Sequence, residues 1–138
     1  MSKYLPVFFI LLGAGTALAQ GVLRVPEDYP TIQAAINAAQ PGDKVYVSPG
    51  WYVENLVITK PIELIGAGWS STFIRAHDPT RPVVLVEIEE GEVVVEGLCI
   101  RRGEAGILYR GHGALKVWGC TLAENGSAGI AAFGQALQ

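Results

Sequence analysis

The densest set of hard-oxygen ligands in this 138-residue chain is the acidic stretch Glu87, Glu89, Glu90, Glu92 and Glu96. Glu87 and Glu89 alternate with Val86 and Ile88, so on a strand both carboxylates project from one face. That spacing makes Glu87 and Glu89 candidate ligands for Ca²⁺, which gathers about six to eight oxygens. The competing reading is a solvated turn whose acids are neutralised by Arg101, Arg102 or Arg110. Trp51, Trp118 and Tyr109 are candidate platforms for stacking sugar rings, provided the fold leaves them outside. Trp69 follows Gly68 and reads as closing a loop. His77 and His112 lack ligand-like spacing, and two Cys with one Met do not make a soft-metal site. No residue set has the spacing of a catalytic or cofactor-binding motif.

Side chains of this kind need elements to hold them, and a repeat supplies those elements. Val95-Glu96-Gly97-Leu98-Cys99-Ile100 is echoed by Val117-Trp118-Gly119-Cys120-Thr121-Leu122. Ala105-Gly106-Ile107 returns, after nearly the same interval, as Ala128-Gly129-Ile130. A fixed period in this range, here the step from position 95 to 117 or from 105 to 128, marks a solenoid of stacked coils. Strand alternation points Val95, Leu98 and Ile100 inward, followed one coil later by Val117, Cys120 and Leu122. Further strands are predicted over 44–47, 55–58, 62–65, 73–76 and 83–88. Pro- and Gly-rich turns separate them, and about four coils fit. Between 31 and 39 the apolar residues Ile32, Ala35, Ile36 and Ala39 recur at helical spacing. Thr31 is placed to cap that helix and Pro41-Gly42 to stop it. The helix is expected to lie as a lid on the first coil. Asn125-Gly126 reads as a tight turn, although Asn125-Gly126-Ser127 also fits a glycosylation acceptor.

Residues 1–19 read as a secretory signal: Lys3, an apolar run from Leu5 to Leu12, then Ala17-Leu18-Ala19. A secreted or periplasmic protein is therefore expected. The alternative is a membrane anchor, for which the run is short. Cleavage would leave residues 20–138 as one domain, with an N-terminal strand and helix in 20–43 and coils in 44–138. Loss of Lys3 would take the net charge from −3 to −4. That charge disfavours a nucleic-acid partner and gives no reason to expect membrane binding after cleavage. In the repeat register Cys120 points inward and Cys99 outward, which opposes a disulfide and predicts two free thiols, Cys99 the reactive one.

A longer run carries a resemblance. It comprises Asp28-Tyr29-Pro30-Thr31-Ile32-Gln33-Ala34-Ala35-Ile36, Pro41-Gly42-Asp43-Lys44-Val45, Gly50-Trp51-Tyr52-Val53-Glu54-Asn55-Leu56-Val57-Ile58 and Ile62-Glu63-Leu64-Ile65-Gly66-Ala67-Gly68. In this order it resembles the N-terminal part of the pectin lyase-like superfamily, whose fold is a right-handed parallel β-helix. Pectin methylesterases open in a similar way, as do bacterial exported β-helix repeat proteins. The resemblance implies the all-β solenoid and an extracytoplasmic setting. It does not carry an activity, because the superfamily spans lyases, hydrolases, esterases and epimerases. The esterases use an Asp pair with Gln and Arg partners, and no residue here matches that set. Tyr52 and Glu54, which resemble the Gly-x-Tyr-x-Glu frame near the start of the esterases, are expected to act locally, Tyr52 by packing and Glu54 by bonding turn amides. Some lyases of the superfamily bind calcium on such an acidic outer face.

The function expected from these readings is an exported β-helix module, non-catalytic or catalytically incomplete, that contacts polysaccharide. The alternatives are the N-terminal portion of an esterase or lyase acting on a pectin-type polysaccharide, and a structural or adhesive surface module. Only four residues follow the last recognisable coil. A truncated reading frame or self-association through an open end is therefore expected.

Overall fold

The computed structural model describes residues 21–134. The signal-like segment 1–19, its cleavage site and the last four residues lie outside that range. Among the described residues there are thirteen strands and one helix. In chain order they are β1 (Val22–Val25), α1 (Ile32–Ala38), β2 (Lys44–Val47), β3 (Gly50–Val53), β4 (Leu56–Ile58), β5 (Glu63–Gly66), β6 (Thr72–Arg75), β7 (Val84–Ile88), β8 (Glu92–Glu96), β9 (Cys99–Arg101), β10 (Ala105–Gly111), β11 (Ala114–Trp118), β12 (Thr121–Ala123) and β13 (Ala128–Phe133). They form three sheets, ordered β1-β2-β5-β8-β11, β3-β6-β9-β12 and β4-β7-β10-β13. Every pairing is parallel, so each sheet takes one strand per coil. The chain is thus a parallel β-solenoid.

The longest sheet has five strands, one coil more than the period suggests. The extra coil is β1, which pairs with β2 from Val22 against Lys44 to Val25 against Val47. It is followed by α1 where later coils have strands.

Rows of identical orientation build the interior. Leu23, Val45, Leu64, Val95 and Val117 lie in register in the first sheet. Tyr52, Ile74, Ile100 and Leu122 do so in the second. Val45, Leu64, Val95, Ile74, Ile100 and Leu98 are all fully buried. The inward register read from the repeat therefore holds. It weakens on the last coil, where Val117, Cys120 and Leu122 are only partly buried against the core. The corner after β8 depends on Gly97, whose φ of 68° favours glycine and whose Cβ would meet the Gly66 carbonyl oxygen at 2.9 Å.

The helix closes the first coil in two ways. Ile32, Ala35 and Ile36 are buried against the core, and the Thr31 hydroxyl accepts from the Ala34 N–H at 3.1 Å. The Gln33 amide also imitates a neighbouring strand. Its Nε2 donates to the Val57 carbonyl at 3.0 Å and its Oε1 accepts from the Val57 N–H at 2.8 Å. The otherwise unpaired edge of β4 is satisfied there by a side chain.

Candidate functional site

The outward side of the β3-β6-β9-β12 sheet carries two rows. One is Trp51, Phe73, Cys99 and Thr121, and the other is Val53, Arg75, Arg101 and Ala123. Parallel in-register strands hold successive members of a row about 4.8 Å apart at the backbone. Trp51 and Phe73 accordingly stack, with ring centroids 4.4 Å apart and planes 12° from parallel. Trp51 remains 60% exposed. Beside them Trp51, Val53, Arg75, Arg101 and Arg102 line a cleft of about 350 Å³. A second hollow of about 250 Å³ adjoins it, lined by Ala76, His77 and Pro79 and sharing Arg75 and Arg102. A ligand spanning both hollows would pass these two guanidiniums.

The arginines set the charge of the cleft. Arg75 and Arg101 are register partners, so two cations sit on adjacent rungs of one row. Like charges placed directly across from each other are destabilising. The other rungs that bring charge against charge join opposite signs, Lys44 with Glu63 and Glu87 with Arg110. Glu124 offsets part of the excess. Its Oε2 lies 2.8 Å from Arg101 Nη2 and its Oε1 lies 3.0 Å from Arg102 Nε. The hydrogen bond from Arg101, then that from Arg102, holds the Glu124 carboxyl below its ordinary value. Arg75 makes no ion pair among the described residues, and the buried Nε of Arg101 has no hydrogen-bond partner. The Arg101 guanidinium carbon lies 6.0 Å from the Trp51 ring centre, within cation–π reach. The cleft thus joins an indole face to three guanidiniums and a single carboxylate. Such a surface can stack on a sugar ring and hold its carboxylate.

The other candidates are scattered. Trp118 is 57% exposed but stands in the row of Ile65 and Glu96, on the outer side of a different sheet. Tyr109 does not lie outside. It shares the inward row of Ile58 and Val86, packs partly buried against the core, and donates its hydroxyl to the Gly113 carbonyl. Trp69 projects from its loop, 57% exposed, instead of covering the core. Glu87 pairs with Arg110 at 3.2 Å and Glu89 with His112 at 2.5 Å. Lys116 meets Glu92 at 3.1 Å. Three of the five acids are therefore tied to side chains of the next coil. Among the described residues no group of three His, Cys, Asp or Glu side chains is placed to hold a metal ion.

Tyr52 and Glu54 are structural. Tyr52 donates its hydroxyl to the Ser48 carbonyl at 2.8 Å, and burial pushes its ionisation up. Glu54 accepts from the N–H groups of Ile32 at 2.9 Å and Gln33 at 3.1 Å, the first two residues of α1. The acceptor role foreseen for Glu54 holds, but its donors belong to the helix one coil earlier.

Both thiols are free, as the register requires, with Cys99 opposite Thr121 and Cys120 one residue out of step. The expected reactivity of Cys99 is overturned. It points outward, yet between Phe73 and Thr121 it is only 5% exposed. A small side chain flanked by larger neighbours on both rungs is covered although no core lies above it. Burial also pushes the Cys120 thiol up, which leaves little thiolate at neutral pH. A thiol titration of native protein is expected to be slow at both positions and to complete only on unfolding. Fast reaction of either thiol would contradict this packing.

The chain matches no family model, no curated protein and no solved structure. Fold and cleft define it as a parallel β-helix with a cationic, aromatic-walled outer groove.

Proposed function

We propose that this chain is an exported, non-catalytic β-helix module that holds an acidic polysaccharide against the outer face of β3, β6, β9 and β12. The observation that carries the reading is the placement of Arg75 and Arg101 on adjacent rungs beside the exposed ring of Trp51. Two like charges on adjacent rungs cost stability, in a chain whose net charge is −3. A ligand carboxylate recovers that cost, and an indole wall suits the apolar face of a sugar. Coils stacked along one axis extend the groove in one direction, which suits a polymer. The residue order over 28–68 supports placing the chain within the pectin lyase-like superfamily. The leader-like segment 1–19 supports export. The lining of the cleft offers cations and an aromatic ring, the groups that hold an acidic sugar.

Isothermal titration with an oligogalacturonate tests the proposal. Binding is expected to weaken as salt rises, since exposed charges are screened. Trp51→Ala and Arg75→Ala are each expected to weaken it about tenfold, or about 1.4 kcal/mol. A neutral oligoglucan should not compete, and no esterase or lyase turnover should accompany binding. Equal affinity for neutral and acidic sugars, or no loss in either variant, would refute the assignment.

A further inference from the structure

Arg102 and Glu124 share an unusual backbone. They are the non-glycine residues with positive φ among those described, at 67° and 58°. Each directly follows a strand of the same sheet, Arg102 after β9 and Glu124 after β12, and those strands are paired in register. The two residues therefore occupy equivalent corners of successive coils. Left-handed backbone disfavours any residue with a Cβ, and neighbouring corners use glycine at Gly97 and Gly119. Non-glycine residues held in such backbone cluster at functional sites. Arg102 lines the cleft. The Glu124 carboxylate reaches back from the following coil to bridge Arg101 and Arg102. It is half exposed, with no buried packing to hold it there.

We propose that Glu124 is the cleft's own competing ligand, an autoinhibitory carboxylate seated on Arg101 and Arg102 until a carboxylate of the bound chain replaces it. This inference rests on the reading of the cleft as a site for acidic sugar. The bridge shows the geometry that an incoming carboxylate would adopt on the same two guanidiniums. Arg75 is the unoccupied cation at which a ligand first docks. A second carboxylate further along the ligand must then exchange with Glu124. Longer acidic chains are thereby selected over single acidic sugars, because a monomer engages Arg75 alone.

The test is calorimetric titration of the whole chain with tetragalacturonate, comparing wild type, Glu124→Gln and a control, Glu87→Gln. The control breaks the similar pair with Arg110 on another sheet. Removal of the two ion pairs of Glu124 from the competition is expected to tighten binding by Glu124→Gln about three- to tenfold. Glu87→Gln should bind as wild type does. Should Glu124→Gln lose its cooperative melt, Glu124→Asp, with a shorter reach, is expected to tighten binding in the same direction. Unchanged or weaker binding by these variants, with wild type binding normally, overturns the inference and leaves the cleft assignment standing. Glu124 would then only position the arginines. Absence of binding by wild type and variants alike refutes both.

Discussion

Ile100→Ala is expected to destabilise the protein by about 3–5 kcal/mol and lower its melting temperature by about 10 °C or more. Ile100 is fully buried in the middle of the inward row Tyr52, Ile74, Ile100 and Leu122. Its neighbours on either side are fixed by parallel ladders, so the row cannot collapse to fill the lost volume, and the cost falls high in the usual range. Leu122→Ala, one coil later and only partly buried, should cost about half as much. Calorimetric unfolding of both variants checks the pair. A loss at Ile100 below about 1 kcal/mol would mean that the row is not closed as described.

Glu54→Ala is expected to cost about 2–3 kcal/mol, and Glu54→Gln about half of that. Both oxygens of Glu54 accept helix N–H groups, at Ile32 and Gln33, and the first turn of α1 has no acid of its own. Hydrogen bonds to a charged acceptor contribute about 1.5–3 kcal/mol each, less where water competes. The neutral amide keeps an acceptor and loses the favourable charge at the helix start. Neither variant should alter affinity for an acidic sugar. Denaturant unfolding and titration of the same samples separate the two roles. A variant that folds normally but no longer binds would move Glu54 from the scaffold to the site.

The interior was legible because it repeats. Val95, Leu98 and Ile100 announce their positions through those of Val117, Cys120 and Leu122, and the Thr31 cap is local chemistry. Strand β3 was not foreseen. Trp51 and Val53 face outward there, so Gly50–Val53 shows apolar residues on both faces and no polar alternation. The partners of Glu54 were hidden for another reason, since they lie a whole coil away in the chain. The arginine cleft was obscured by loop length. The segment between β6 and β7 lengthens one coil, so the step from Arg75 to Arg101 is longer than the period of the repeat. A signal was present nonetheless: Phe73-Ile74-Arg75 and Cys99-Ile100-Arg101 share a form, with an inward Ile and an outward Arg. Of the three arginines that the sequence offers as partners for the acidic stretch, Arg101 and Arg102 lie in this cleft, while Arg110 pairs with that stretch. That role falls to Arg110, His112 and Lys116 because they occupy the next coil of the neighbouring sheets. Exposure of Tyr109 could not be read either, because one step in register decides which side of a strand a ring occupies.

The proposed site places an acidic sugar chain against Trp51 and the three guanidiniums. Nuclear magnetic resonance of the isotope-labelled protein, following indole N–H and arginine Nε–H signals during titration with an oligogalacturonate, reads this position directly. The signals of Trp51, Arg75, Arg101 and Arg102 are expected to shift together and saturate at one ligand concentration, with those of Trp118 and Arg110 unmoved. Shifts centred on Trp118 or Arg110, or no shift at any of these signals, would contradict the account.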